Sequence, residues 1–220
     1  MHVRKSVVAL ACVILSLAGC GGEDDESIAP SVTTQIVSDP RFDGDIEQTS
    51  PSTFTITQGM SSNVQSVLTG IDPVGGTEFR AFLNFPLGGS NGVPVDALID
   101  EAFLEIYVDA LEPTTGRLPI RVDLVAFQPP VLVENDFNRA LQPALASVIL
   151  SQDISRSDIG KFVAIDVTSL MVEAQRRRLA DFQVRILEDL GPAIPTLMVI
   201  DDSTGANRAT RAPLLTVTYF

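Results

Sequence analysis

A strict alternation of apolar and other residues recurs along most of this 220-residue chain, and it restricts the chain to β-structure more than any other feature. In segment 102–108, Leu104, Ile106 and Val108 share one side of an extended chain, and Glu105 lies on the other. This pattern gives each strand one buried and one solvated face, as in antiparallel sheets. Six further segments are similarly rich in strand-forming residues: 79–85, 120–126, 162–167, 182–187, 196–200 and 214–220.

Clusters of glycine and proline separate these segments, for example at 75–76, 88–89 and 191–192. Many short strands at this spacing predict an all-β sandwich or barrel. One helix is predicted over 169–178, with Thr168 or Ser169 as its N-cap and three arginines at its C-terminal end. A second predicted helix, over 136–148, is weaker because Pro143 would interrupt it.

Four motifs, taken in order, resemble those of a known family. They are FRAFLNF at 79–85, IDEAFLEIY at 99–107, IDVTSLM at 165–171 and APLLTVTY at 212–219. Their order resembles the DNRLRE-type domain, which is related to a group of carbohydrate-binding modules. The resemblance covers roughly residues 53–220 and implies a jelly-roll β-sandwich with one or two short helices.

Members of that family usually carry tryptophan in their middle segment, whereas this chain contains none. Sugar binding commonly depends on flat aromatic faces, and Tyr107 and Tyr219 are the two amphipathic aromatic residues here. Both lie in predicted strands, where a role in the core or at an edge is the default. The resemblance therefore predicts the fold more than it predicts a ligand.

The N-terminus has the layout of a secretory signal peptide. Arg4 and Lys5 precede an apolar run of about 11 residues, which is shorter than the ~20 residues of a membrane-spanning helix. The run ends in Leu-Ala-Gly-Cys, with the cysteine at Cys20. This tetrad resembles the lipobox of bacterial lipoproteins, and the resemblance implies lipidation of Cys20 and cleavage before it.

Three regions follow from this reading: a signal peptide (1–19), a lipidated, disordered acidic tether (20–52) and the β-domain (53–220). Gly21, rather than aspartate, follows the cysteine, so the resemblance implies no retention at the inner membrane. The expected location is the outer membrane or cell surface of a Gram-negative bacterium. The acidic run Glu23–Glu26 resembles a surface-export signal in some lipoproteins, although a solvated spacer is the simpler interpretation.

Composition excludes several kinds of chemistry from the chain that cleavage before Cys20 would leave. That chain has no histidine, and Cys20 is its one cysteine, so Ser-His-Asp catalysis, His/Cys zinc sites and internal disulfides are excluded. It keeps 13 basic and 28 acidic residues. An excess of acidic residues this large opposes binding to nucleic acid, whose phosphates require lysine and arginine.

Two groups of carboxylates could hold calcium, the one ion that suits this chain, and no other cofactor is predicted. Asp201 and Asp202 follow a predicted strand and are the better placed pair; the alternative is a turn with local hydrogen bonds. The second group surrounds Gly44 in the predicted tether, and its alternative is a solvated linker. It consists of Asp39, Asp43, Asp45 and Glu47.

The sequence is compatible with three functions. The leading one is a non-catalytic structural or interaction module whose partner is an envelope protein, and the second is a carbohydrate-binding module. The third is a glycan-active enzyme with paired carboxylates such as Glu105 and Asp123, for which solvated strand faces are the simpler explanation. The arginines at 176–178 could bind an acidic partner or lipid headgroups, or be merely solvated.

Replacing Cys20 with serine tests the anchor. We expect C20S to leave the detergent-extracted membrane fraction, or to remain uncleaved, because serine lacks the thiol that accepts the lipid. The measurement is fractionation with labelled palmitate. Processing of C20S that is still sensitive to globomycin, as in the wild type, would contradict the lipoprotein prediction.

Overall fold

In the computed structural model, residues 30–59, 65–127, 131–189 and 194–220 are described; Cys20 and the predicted signal peptide lie outside them. Within these residues the chain forms twelve strands and three short α-helices. The strands are β1 (Val32–Val37), β2 (Gly44–Ser50), β3 (Thr53–Gln58), β4 (Ser66–Ile71), β5 (Glu78–Pro86), β6 (Ile99–Glu112), β7 (Ile120–Val125), β8 (Ala146–Ile149), β9 (Lys161–Asp166), β10 (Asp181–Glu188), β11 (Leu197–Asp201) and β12 (Leu214–Tyr219). The helices are α1 (Glu134–Phe137), α2 (Thr168–Arg177) and α3 (Arg208–Arg211).

All strand pairs are antiparallel, in the order β1-β12-β6-β11-β4-β5-β10-β7-β8. Strand β2 pairs with β5 and carries β3, and β9 pairs with β6. The sheet curls so that its two ends face each other across one core. Leu104 and Ile106 of β6 belong to the same buried cluster as Leu83 of β5, Val184 of β10 and Leu124 of β7. The predicted all-β sandwich is confirmed.

The two layers differ on their outer faces. Over β5 and β7, Phe127 and residues 131–137 lie on the sheet, and Phe127, Leu132 and Phe137 pack with Phe82 and Val125 in a second apolar cluster. The aromatic rings of Phe82 and Phe127 meet edge to face, with centroids 6.1 Å apart. Nothing among the described residues covers the outer face of β1, β12, β6 and β9 in this way.

The predicted tether boundary at residue 52 is wrong, because two strands lie before it. All six residues of β1 pair with β12, from Val32 opposite Tyr219 to Val37 opposite Leu214. Strand β2 pairs with both β3 and β5. Their polar sequences, VTTQIV and GDIEQTS, concealed them, since each strand buries one large apolar side chain, Ile36 in β1 and Ile46 in β2.

The helix predictions are half right. Helix α2 begins one residue before the predicted start, with Val167 as N-cap, and buries Leu170, Met171 and Ala174. Its end at Arg178 adopts the left-handed conformation, with φ of 54°. The predicted helix over 136–148 is wrong: α1 ends at Phe137, and residues 146–149 form β8 instead.

Two shortened chains test the revised boundary. A chain starting at Ser31 retains every described strand, and we expect it to unfold in one cooperative transition. A chain starting at Thr53 lacks β1 and β2, which removes buried Ile36 from the core and leaves the edges of β12 and β5 unpaired. We expect it to lose that transition or to aggregate, measured by circular dichroism on heating. Equal midpoints for the two chains would restore the original boundary.

Candidate functional site

The outer face of β1, β12, β6 and β9, here called the open face, has no apolar cluster like the one over β5 and β7 among the described residues. Strand register places its side chains in cross-strand rows: Thr33 beside Thr218, and Glu105 between Leu214 and Ala164. Alternate residues of each strand point inwards to the core, so the same pattern that builds the sandwich displays the others to solvent. The face is therefore part apolar and part acidic.

Three aromatic residues lie on the open face: Phe103 and Tyr107 on β6, and Phe162 on β9. Tyr107 is directly opposite Phe162, and their rings meet edge to face with centroids 5.4 Å apart. Phe162 is 44% exposed. The guanidinium of Arg211 lies over the Tyr107 ring, 4.7 Å from its centroid. Such an exposed aromatic group, rimmed by charge, is typical of binding surfaces.

The carboxylates of the open face are engaged by neighbouring hydroxyls. Thr216 donates to Glu105 at 3.3 Å, and Thr218, which is 3.1 Å from Thr33, lies at 3.5 Å from Glu101. Sequence alternation correctly placed Glu105 on a solvated face. It could not show that β9 would bring Phe162 next to Tyr107, because that contact joins residues from two separate strands of the sequence.

Asp123, the proposed partner of Glu105 in an enzyme, lies in the other layer and is completely buried. It accepts hydrogen bonds from Arg185 at 2.7 Å, Ser147 at 2.6 Å and Arg139 at 3.1 Å. Arg185 is buried too and also donates to the carbonyl of Asp136 at 2.7 Å. The alternation of β7 gave no sign that this carboxylate is covered. Glu105 and Asp123 therefore do not converge on a shared cleft.

Asp201 and Asp202 already have cationic and backbone partners. Asp201 accepts from the backbone N–H of Ser203 at 2.8 Å and lies 3.5 Å from Arg211, whereas Arg208 donates to Asp202 at 2.9 Å. Arg208 also donates to the carbonyl of Ser38. These contacts match the turn alternative and join the β11–β12 connection to the chain leaving β1. Calcium binding at this pair stays a prediction.

The four acidic residues around Gly44 serve separate roles. Asp39 binds Arg41, Asp43 accepts from the backbone of Asn84 at 2.8 Å, and Asp45 accepts from the backbone of Leu68 at 3.2 Å. Glu47 lies farther along β2. Across the described residues, no three or more metal-ligating side chains come together. The predicted tether cluster is instead part of how β2 docks on the sandwich.

Burial has a strong electrostatic effect on two of these aspartates. Desolvation, reinforced by nearby Asp202, raises the pKa of Asp43 well above its usual range. Desolvation likewise raises the pKa of Asp45 to about 7, against the lowering effect of the hydrogen bond from Leu68. Both carboxyls are therefore harder to ionise in the folded chain than in the unfolded one.

The arginines at the C-terminal end of α2, 176–178, are exposed, as the simpler interpretation expected. Arg176 and Arg177 both bind Glu173, at 2.7 and 2.5 Å. This double contact lowers the pKa of Glu173 to about 2. Part of their charge is thus neutralised within the helix.

Comparison of the chain with models of known protein families and with curated proteins finds no match. The resemblance to the DNRLRE-type domain therefore stays a prediction. No helix among the described residues has the length and apolarity needed to cross a membrane.

The pH dependence of stability tests whether the pKa of buried Asp45 is raised. The pKa of Asp45 is about 7 in the folded chain, against 3.8 in the unfolded chain. The protonated carboxyl therefore contributes fully to stability below pH 4, and this contribution to the free energy of unfolding is lost as the pH rises through 7. D45N keeps an oxygen that accepts from Leu68 and removes the ionisation. We expect it to stabilise the protein at pH 8 by on the order of 2–4 kcal/mol relative to its effect at pH 4.

Urea denaturation at the two pH values measures this difference. D100N, which alters an exposed side chain on β6, is the matched control and should change stability little at either pH. An effect of D45N that is the same at pH 4 and pH 8 would mean that Asp45 titrates normally.

Proposed function

We propose that this chain is a lipid-anchored envelope protein of a Gram-negative bacterium whose β-sandwich is a non-catalytic interaction module. The Leu-Ala-Gly-Cys tetrad behind a short apolar run supports an anchor at Cys20. The open face supports the interaction role. One layer of the sandwich is covered by Phe127 and residues 131–137 of the same chain, whereas the other displays the ring of Phe162 to solvent.

This contrast carries the proposal. An apolar face that serves only stability is buried by the chain itself, as happens over β5 and β7. Phe162 and Val37 are instead 44% and 45% exposed on the open face. Tyrosine and phenylalanine next to carboxylates offer both apolar contact and hydrogen-bond acceptors, a combination suited to the apolar core and polar rim of protein interfaces.

A carbohydrate ligand is the second candidate, and the contact of Tyr107 with Phe162, on the face that also carries Phe103, favours it. The exposed ring of Phe162 can pack against the C–H face of a sugar, while Glu105 and Glu101 can accept from its hydroxyls. A catalytic role has less support, because the two candidate carboxylates, Glu105 and Asp123, lie in different layers. Asp123 also forms a buried ion pair with Arg185. We therefore propose no hydrolytic activity for the open face.

Photo-crosslinking in intact cells tests the open face as an interaction surface. A photoreactive amino acid replaces Phe162, and the matched control carries it at Ile149, which is 54% exposed on β8. We expect one discrete protein adduct from position 162 that is absent from position 149 and is lost when Tyr107 is replaced with alanine. Equal adduct patterns from both positions would contradict the proposal.

A glycan array tests the second candidate with the same residues. We expect F162A to weaken any bound glycan about tenfold or more, a loss of roughly 1.4 kcal/mol, without changing the melting midpoint, since the ring is exposed. I149A should retain full binding. No glycan binding by the wild-type protein, or equal binding by F162A, would dismiss carbohydrate as the ligand of this face.

A further inference from the structure

Exposed apolar side chains gather at the end of the sandwich where β1 begins. Val32 is 48% exposed, Val95 68%, Leu98 73% and Phe220 44%. We call these four residues the entry patch. Leu98 and Phe220 exchange two backbone hydrogen bonds, at 3.1 and 3.0 Å, and Val32 pairs with Tyr219.

Val95 belongs to the same end because it lines a cavity together with Tyr219 and Arg178. Gln175 of α2 donates to the carbonyl of Pro94 at 2.8 Å, which holds the C-terminal end of this helix beside the Val95 loop. The arginines at 176–178 therefore lie next to the entry patch. Asp96 and Asp100 lie there as well, so the rim of the entry patch carries both positive and negative charges.

Chain length restricts what this end can meet. Twelve residue steps join Cys20 to Val32, which reach at most about 40 Å even when fully extended. Strand β6 has 14 residues and so runs for about 45 Å from this end to the opposite one. A lipid on Cys20 would thus hold the entry patch closer to the bilayer than the far end of the sandwich.

We propose that the entry patch rests on the lipid surface, with its apolar side chains in the interfacial region and Arg178 near lipid phosphates. The inference depends on the proposed lipid anchor. A domain that is tethered to a membrane meets that membrane at a high effective concentration. The entry patch would therefore contact the bilayer for much of the time, even if the domain without its lipid binds vesicles only weakly. The open face, whose strands run away from this end, then stands roughly upright on the membrane and remains accessible to partners.

Single spin labels test this arrangement in the full lipoprotein. Lipidation would consume the thiol of Cys20, so a cysteine introduced in the β-domain is the one free thiol of the cleaved chain. V95C places a label in the entry patch. V74C is the matched control, since Val74 is 94% exposed in the turn after β4, and the end of β4 pairs with the start of β11, which itself pairs with the far end of β6.

Each labelled protein is reconstituted in phosphatidylethanolamine–phosphatidylglycerol vesicles. We expect the V95C label to become several-fold less accessible to a water-soluble nickel chelate and more accessible to oxygen, and the V74C label to remain aqueous. Equal accessibility of the two labels, in protein that floats with the vesicles, would overturn the inference. Protein that does not float would instead overturn the anchor.

A final comparison separates lipid from protein as the occupant of the patch. If the V95C label is shielded in native outer membranes but stays aqueous in pure-lipid vesicles, an envelope protein covers the patch and the lipid contact is wrong. Shielding in both preparations supports direct contact with lipid. Unchanged melting midpoints for V95C and V74C establish that neither label disturbs the fold.

Discussion

The length of β6 is the constraint on which the rest of the fold depends. Its first half pairs with β12 and its second half with β11, along one edge, while β9 occupies the other. Because its two halves pair with different strands, β6 joins the strands of the open face to β11 and, through β11, to β4 and β5. The pairing of β6 with β11 contains a register shift beside Val199 and Ile200. One core and two unlike outer faces follow from this path.

The covered layer is specified by a buried ion pair rather than by apolar packing alone. Arg185 and Asp123 both have fully buried side chains, 2.7 Å apart. Removing either partner would strand the other charge in the interior, at a cost of about 3–5 kcal/mol. Arg185 also holds the carbonyls of Asp136 and Gln142, which fixes the segment that covers the sheet. Among the described residues the side chain of Arg211 lies over Tyr107, but no segment with a comparable buried ion pair and apolar cluster covers Tyr107 and Phe162. The buried ion pair and that cluster together distinguish the two faces.

Sequence alternation was sufficient to predict seven of the strands, because residues such as Leu104, Ile106 and Leu124 repeat at period 2 and a helical period does not fit that pattern. It did not predict β3 or β4, although Val67 of β4 is buried in the core. It failed for β1 and β2, where long-range pairing with β12 and β5 outweighs a polar composition. The prediction from sequence was also wrong at 146–149, because the backbone hydrogen bonds that these residues form with β7 outweigh their helix propensity. The aromatic group of the open face combines residues from distant segments, and alternation alone contains no information about which strands become neighbours.

The corrected boundary changes how the domain would bear force from the proposed lipid anchor at Cys20. Because β1 belongs to the sheet, tension from Cys20 would act on a strand that pairs with β12 over six residue pairs. Arg208 adds a second connection behind β1, because it binds the carbonyl of Ser38 and the carboxylate of Asp202. Asp43 then fastens the same chain to β5 through the backbone of Asn84. The polar residues that resemble a solvated spacer in the sequence are those that join the N-terminal end of the described chain to its sheet.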